Sequence, residues 1–142
     1  ATIGRLDQHL FPFYQADVEA GRLTRPEAFA MLCELWAGFN QVGTGDTLTN
    51  LMVAGQHRDG RDATNEVSYL MVEVASTVRQ TEPQLSVRVH KNTPRDFLIR
   101  LAELHLLGHG QGNLYNDDLI IPSISPMVPD SGNVRVYVSS LV

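Results

Sequence analysis

The chain has 142 residues, of which 43% are hydrophobic and 19% charged, and its formal net charge is −5. This balance is typical of one globular domain, and an acidic chain without a basic stripe argues against a nucleic-acid-binding surface. No apolar run reaches the roughly 18 residues that span a bilayer, and the first residues do not resemble a signal peptide. Because the single cysteine, Cys33, excludes an internal disulfide, we predict a soluble, cytoplasmic protein.

The first third of the chain predicts two helices joined by a turn. Apolar side chains recur every four positions from Leu6 to Val18, which is the spacing of one helical face, and Gly21 is a typical stop signal. Thr24 and Glu27 then have the spacing of a capping box, in which each side chain bonds the backbone amide of the other residue. We therefore expect a second helix to begin there.

After residue 43 the pattern changes to short apolar runs that alternate with amphipathic helices. The predicted strands are Leu48–Ala54, Leu85–His90, Leu119–Ile124 and Val134–Ser139, and the predicted helices cover Val67–Val78 and the residues that follow Thr93. Thr93 is expected to be the N-cap of its helix, with Pro94 at the first helical position. Pro122 weakens the third strand, because proline cannot donate to a sheet.

This order of strand, helix, strand, helix, strand indicates an α/β fold. Right-handed crossovers of this kind build parallel sheets covered by helices, so we predict a partial parallel sheet preceded by a helical pair. No repeat or long linker divides the chain. Residues 1–142 are therefore expected to form a single domain, with a helical hairpin over residues 1–42 and an α/β part over residues 43–142.

Polar residues cluster where the predicted strands end, and parallel sheets place their ligand sites at the carboxyl ends of strands. Arg88 and His90 lie at the end of the second strand, and Asn116 and Asp117 precede the third, so these four are the candidate binding residues. Arg88 could bind an anion together with the helix N-terminus near Thr93. The favoured alternative is a structural ion pair between Arg88 and Asp117 or the aspartate that follows it.

Other residues carry weaker chemical signals. His57 and Asp59 share a loop, and His105 and His109 have the spacing of one helical face, but no metal-binding motif frames them. Hydrogen-bonded histidines are therefore favoured over a metal site, and no metal or cofactor is predicted. Cys33 lies among apolar residues without a nearby cation, so it is interpreted as a core residue. The glycine-rich stretches match no phosphate-binding loop and are interpreted as turns.

The chain also carries an ordered series of motifs between residue 3 and about residue 124. These motifs are Gly4–Gln8, Pro12–Tyr14, Gly21–Thr24, Leu32–Trp36, Gly60–Leu70, Leu85–His90, Thr93–Pro94 and Asn116–Pro122. In order and spacing the series resembles the glycyl radical enzymes of the pyruvate formate-lyase family. It is most similar to the branch of glycerol and choline lyases and related decarboxylases.

The resemblance implies part of a ten-stranded barrel built from two five-stranded halves. In that family, a glycyl radical on a C-terminal loop takes a hydrogen atom from a cysteine on a finger loop, and the thiyl radical attacks the substrate. The place of that cysteine falls near Val142 in this sequence, Cys33 does not match it, and the glycyl loop would lie further on. No catalytic residue is therefore predicted, and Arg88, His90 and Asn116 match barrel positions without an assigned role.

Three functions are compatible with the sequence. The favoured one is a stand-alone or truncated family fragment that is inactive alone and whose partner is the missing remainder of a split enzyme. The alternative is a small homo-oligomeric binding or assembly module that pairs through the apolar edge Val134–Leu141. A lesser alternative is a metal-assisted hydrolase using His57, Asp59, His90 or Asp117. Neither nucleic acid nor a membrane is an expected partner.

Overall fold

The computed structural model describes residues 2–42 and 49–127, which form alternating strands and helices. In chain order the elements are β1 (Thr2–Arg5), α1 (Leu6–Glu19), α2 (Arg25–Val42), β2 (Asn50–Ala54), α3 (Glu66–Val78), β3 (Gln84–Val89), α4 (Arg95–Leu106), β4 (Asn113–Asn116), α5 (Asp117–Ile124) and a 3-10 turn (Ser125–Met127). This is the α/β class that the sequence predicts, with a helical pair before the main run of crossovers.

The described strands form one parallel sheet in the order β1-β2-β3-β4. β2 and β3 pair in register from Asn50 with Gln84 to Ala54 with Arg88. Neighbouring parallel strands need a crossover connection, which α3 supplies between β2 and β3 and α4 supplies between β3 and β4. All strand carboxyl ends therefore meet at the same end of the sheet.

The hydrophobic core lies between this sheet and helix α3. Leu51 and Val53 of β2 and Leu85 and Val87 of β3 are fully buried and belong to one cluster with the apolar face of α3. Helices α1 and α4 contact α3, and α2 packs against α3 with Trp36 buried. None of the described helices combines the length and the apolar character that crossing a membrane requires.

Capping residues set the beginnings of helices α2 and α3. At α2 the Thr24 N–H donates to Glu27 Oε2 at 2.8 Å, and the Glu27 N–H donates to Thr24 Oγ1 at 3.4 Å, which confirms the predicted capping box. At α3 the Asn65 side chain accepts from the N–H of Ser68, while Ser68 Oγ accepts from the N–H of Asn65. Each cap satisfies backbone N–H groups in the first turn of its helix.

The prediction of a strand at Leu119–Ile124 is wrong, because these residues belong to helix α5 and the strand is β4, Asn113–Asn116. A short apolar run does not distinguish a strand from a helix by itself. The side chain of Asn116 favours the helix here, because its Oδ1 accepts from the Asp118 N–H at 3.0 Å and so caps the first turn of α5. Strand β1 was not predicted. The predicted strand Val134–Ser139 and the edge Val134–Leu141 lie outside the described residues.

The predicted N-cap of α4 is also wrong. Pro94, not Thr93, occupies the N-cap position, and the helix begins at Arg95. Thr93 Oγ1 instead accepts from the N–H of His90 at 2.8 Å. Its hydroxyl therefore closes the turn after β3 and fixes the backbone at the end of that strand.

Candidate functional site

The candidate binding residues all lie where β3 and β4 end. Arg88 lies near the end of β3, where it pairs with Tyr115 of β4, and His90 follows that strand directly. Asn116 is the last residue of β4, and Asp117 is the first residue of α5. The topology therefore brings the four predicted positions to one end of the sheet, which we call the carboxyl edge.

Arg88 and Asp117 form a buried, two-pronged ion pair at this edge. Arg88 Nε donates to Asp117 Oδ1 at 2.7 Å, and Arg88 Nη2 donates to Asp117 Oδ2 at 2.9 Å. Both side chains are fully buried. This fork-to-carboxylate geometry is the strong form of a charge-assisted hydrogen bond. It is the structural ion pair that the sequence favoured over an anion site at Arg88.

A tight turn at the end of β2 lies against this ion pair. Ala54 and Gly55 have φ values of 61° and 87°, both in the left-handed region that favours glycine. A Cβ atom on Gly55 would lie 2.8 Å from Arg88 Cβ and 3.0 Å from Asp117 Oδ2. The absence of a side chain at position 55 is therefore what allows the ion pair to close against the turn.

Side chains from both ends of the described chain hold the backbone of this turn. Asp7 Oδ2 accepts from the Ala54 N–H at 2.7 Å, and Asp117 Oδ2 accepts from the Gln56 N–H at 3.0 Å. Arg5 donates through Nη2 to the Ala54 carbonyl at 2.6 Å and through Nη1 to the Gln56 carbonyl at 2.9 Å. Since these partners come from distant parts of the sequence, the turn is fixed by the assembled sheet and not by local preference.

Asp7 also belongs to this network, although no signal in the sequence singled it out. Burial raises the pKa of Asp7, although hydrogen bonds from Ser68 and Ala54 and the nearby charge of Arg5 act in the opposite direction. Its side chain is fully buried and connects α1 to the turn after β2 and to α3. Arg5 and Asp7 sit at the junction of β1 and α1, so the failure to predict β1 also hid them.

Replacing Asp7 with asparagine is expected to change how stability depends on pH. Because the folded-state pKa of Asp7 is raised, the folded chain binds more protons than the unfolded chain above about pH 4, the ordinary range of an aspartate. Stability should therefore fall as the pH rises through this window, and Asp7→Asn should remove that part of the slope. Urea unfolding at a series of pH values measures it. Exposed Asp59→Asn is the control, and an identical slope in Asp7→Asn and the unmodified chain would contradict the assignment.

His90 pairs with Asp62, a residue that the sequence did not single out. His90 Nε2 lies 2.9 Å from Asp62 Oδ1, and the Asn92 N–H donates to His90 Nδ1 at 3.3 Å. An acceptor at Nδ1 places the ring proton on Nε2, which then donates to the carboxylate. The His90 ring is fully buried, so this pair ties the loop after β2 to the turn after β3.

Asp118 connects the same two segments from α5. Its Oδ2 accepts from the Lys91 N–H at 2.7 Å, and its Oδ1 accepts from Gln56 Nε2 at 3.3 Å. Asn116 contributes through its side chain, whose Oδ1 accepts from the Asp118 N–H. The described groups at the carboxyl edge thus bond largely to one another, which suits a rigid support better than an open acid or base.

The remaining candidates are hydrogen-bonded or half-buried. His105 Nε2 lies 2.8 Å from the Gly112 carbonyl, and His109 Nε2 lies 3.1 Å from the Ala75 carbonyl. The prediction that both histidines share a helical face is wrong, because α4 ends before His109. Within residues 2–42 and 49–127, no three histidine, cysteine, aspartate or glutamate side chains are grouped to hold a metal ion. Cys33 is half-buried, and burial raises the pKa of its thiol.

Comparison with known proteins connects this arrangement to one family. The sequence model described as pyruvate formate lyase-like matches residues 1–138. Trans-4-hydroxy-L-proline dehydratase of Clostridioides difficile is 38% identical over 136 residues, an alignment that covers 87% of this chain and 17% of that protein. Isethionate sulfite-lyase of Nitratidesulfovibrio vulgaris is 32% identical over 132 residues, covering 84% of this chain and 16% of that protein.

Solved structures give the same result. A glycyl radical enzyme from Archaeoglobus fulgidus superposes with a TM-score of 0.87 at 32% identity, over 94% of this chain and 19% of its own. Hydroxyproline dehydratase from Clostridioides difficile, with trans-4-hydroxy-L-proline bound, has a TM-score of 0.86 at 35% identity, over 95% of this chain and 19% of its own. The described fold is thus found within chains that are several times longer.

Proposed function

Because the chain belongs to the pyruvate formate lyase-like family, we propose that residues 1–142 form a scaffold segment of a glycyl radical lyase. The segment supplies strands and helices of the barrel, contains neither the radical cysteine nor the radical glycine, and is not catalytic alone. The whole enzyme is proposed to be cytoplasmic and to perform an elimination or cleavage of the kind for which the similar dehydratases and sulfite-lyases are named.

The position of Cys33 carries this proposal. It is the single cysteine among the 142 residues, and it lies in α2, which packs against α3. A thiyl radical acts on a substrate that is held against it, so the thiol must lie at the reacting centre. Cys33 instead packs against the hydrophobic core from helix α2. This placement supports a structural role for the one thiol present.

The carboxyl edge supports the same proposal. Its charged groups are engaged in the Arg88–Asp117 pair, the His90–Asp62 pair and the contacts that hold the turn after β2. Buried polar networks whose members are satisfied make a structure rigid and specific. A rigid edge of this kind is suited to holding neighbouring barrel strands in place while another segment supplies the chemistry.

Electron paramagnetic resonance tests the proposal. The purified chain is incubated anaerobically with a glycyl radical activating enzyme and S-adenosylmethionine, and the spectrum is compared with that of activated Clostridioides difficile hydroxyproline dehydratase. We expect the doublet of a glycyl radical in the dehydratase and no such signal from residues 1–142. A doublet of comparable yield from the isolated chain would contradict a scaffold role.

The second candidate function is a homo-oligomeric assembly module, favoured by the outer side of β4. In the described sheet β4 pairs with β3 alone, and Leu114 of β4 is 51% exposed. A strand edge with apolar side chains is a site for pairing with another chain. Light scattering distinguishes the two candidates, since a dimer at micromolar concentration favours assembly and a monomer at high concentration contradicts it.

A further inference from the structure

Two concave surfaces on the helical side of the sheet differ in their chemistry. The larger is a cleft of about 990 Å³ over α3, lined mainly by charged and polar side chains. These side chains bond largely to one another, since Arg25 contacts Glu66 and Glu73 at 2.7 Å each and Tyr69 donates to Asp96 at 2.7 Å. Such a surface gains little from being covered, because its hydrogen bonds are already made.

The smaller concave surface is apolar and lies between α1 and α2. Its volume is about 170 Å³, its floor includes Leu10, Leu32 and Val67, and Phe13 and Met31 form its rim. We call it the α1/α2 notch. Among the described residues that line it, Asp17 is the one charged side chain. Arg22 pairs with Asp17 at 2.6 Å, so the notch presents no unbalanced charge.

The rim of the notch is exposed in a way that indicates an interface. Phe13 is 71% exposed and Met31 is 61% exposed, and Leu35, one helical turn beyond Met31, is 40% exposed. Aromatic and methionine side chains are enriched in protein interfaces, and a rimmed apolar patch marks a contact site. Single exposed apolar residues are common, but here the exposed pair borders a concave apolar surface.

The size of the notch restricts what can occupy it. Small-molecule sites usually enclose about 300–1,000 Å³, which is well above the volume of the notch. A single large apolar side chain, inserted from another segment of polypeptide, is a better match. Hot spots of interfaces have this form, with an anchor side chain in a well-packed pocket.

We propose that the α1/α2 notch docks the part of the glycyl radical lyase that lies outside residues 1–142, through an apolar side chain of that part. The proposal rests on the proposed function. The occupant follows from the comparisons of length: the solved relatives contain this fold over 94–95% of the present chain, yet the chain accounts for 19% of each of theirs. In an enzyme of that size, most of the polypeptide lies outside the matched segment and is available to cover this apolar surface.

A chimera provides the test, in which residues 1–142 replace the aligned segment of Clostridioides difficile hydroxyproline dehydratase. Oxidation of Met31 by dilute peroxide, followed by mass spectrometry, reports whether the rim is covered. We expect Met31 to oxidise rapidly in the isolated chain and several-fold more slowly in the chimera. The matched control is Glu103→Met on the charged cleft, whose introduced methionine should oxidise at the same rate in both proteins.

Each outcome decides the proposal. Equal oxidation of Met31 in both proteins, or equal protection at positions 31 and 103, would overturn it. Protection of Met31 already in the isolated chain, together with a dimer in light scattering, would assign the notch to a second copy instead and would also overturn it.

A second variant, Phe13→Asp, should leave the unfolding midpoint of the isolated chain unchanged and lower that of the chimera. A radical signal from the isolated chain would refute the proposed function without changing the rates of Met31 oxidation. Failure of the proposed function can therefore be distinguished from failure of the docking proposal.

Discussion

Replacing Asp117 with asparagine is expected to lower the free energy of unfolding by about 3–5 kcal/mol, because it leaves the buried charge of Arg88 without its counter-ion. Arg88 and Asp117 are both fully buried and bonded at 2.7 Å and 2.9 Å. Water cannot replace the lost carboxylate at this depth. Asp117 also accepts from the Gln56 N–H, so the turn after β2 loses a support in the same variant. Urea unfolding followed by circular dichroism measures the change.

Asp118 offers a matched control for this prediction. It is the next residue in the chain, it carries the same charge, and it is exposed. Asp118→Asn should therefore cause a much smaller loss. Replacing both partners of the buried pair with apolar residues, as in Arg88→Met with Asp117→Leu, should recover most of the stability that Asp117→Asn removes. If Asp117→Asn were no more destabilising than Asp118→Asn, the ion pair would not be the organising contact of the carboxyl edge.

Gly55→Ala is expected to destabilise the chain by about 2–5 kcal/mol through two separate effects. The φ of 87° at this position is unfavourable for an L-residue by about 1–2 kcal/mol. The added Cβ would also lie 2.8 Å from Arg88 Cβ and 2.9 Å from Arg88 Nε, and displacing packed atoms of this kind costs about 1–3 kcal/mol. The same unfolding measurement applies, and the ion pair should be weakened along with the turn.

Gly21 separates the two effects. Its φ is also positive, at 67°, but no atom lies within 4 Å of the position that a Cβ would occupy. Gly21→Ala therefore measures the cost of a positive φ alone. The difference in the loss of unfolding free energy between the two variants measures the cost of the contact with Arg88. Equal losses in Gly55→Ala and Gly21→Ala would show that the close approach to Arg88 has no energetic consequence.

Local signals in the sequence were sufficient for much of this fold. The capping pair of Thr24 and Glu27 and the amphipathic face of Val67–Val78 depend on contacts within one or two helical turns, so the pattern alone predicts α2 and α3. Strand β1 could not be found in this way, since Thr2–Arg5 is short and is a strand because it pairs with β2, more than forty residues away. The helix at α5 had a usable signal, the Asn116 cap followed by two aspartates in the first turn.

The sequence predicted where the candidate site lies but not all of the residues that form it. Parallel topology places the ends of neighbouring strands together, which is why Arg88, His90, Asn116 and Asp117 were found at one edge. Arg5 and Asp7 belong to the same network through contacts across about fifty residues of sequence. Such contacts are visible only once the sheet is assembled, because no spacing in the sequence encodes them.

In the proposed function, this segment contributes structure to a glycyl radical lyase, and its one thiol takes no part in the chemistry. The most direct measurement is turnover of trans-4-hydroxy-L-proline by the activated chimera with and without Cys33→Ala. We expect the chimera to form a glycyl radical and dehydrate its substrate at the same rate in both versions. Loss of turnover in Cys33→Ala, with the glycyl radical still formed and the protein still folded, would contradict the claim.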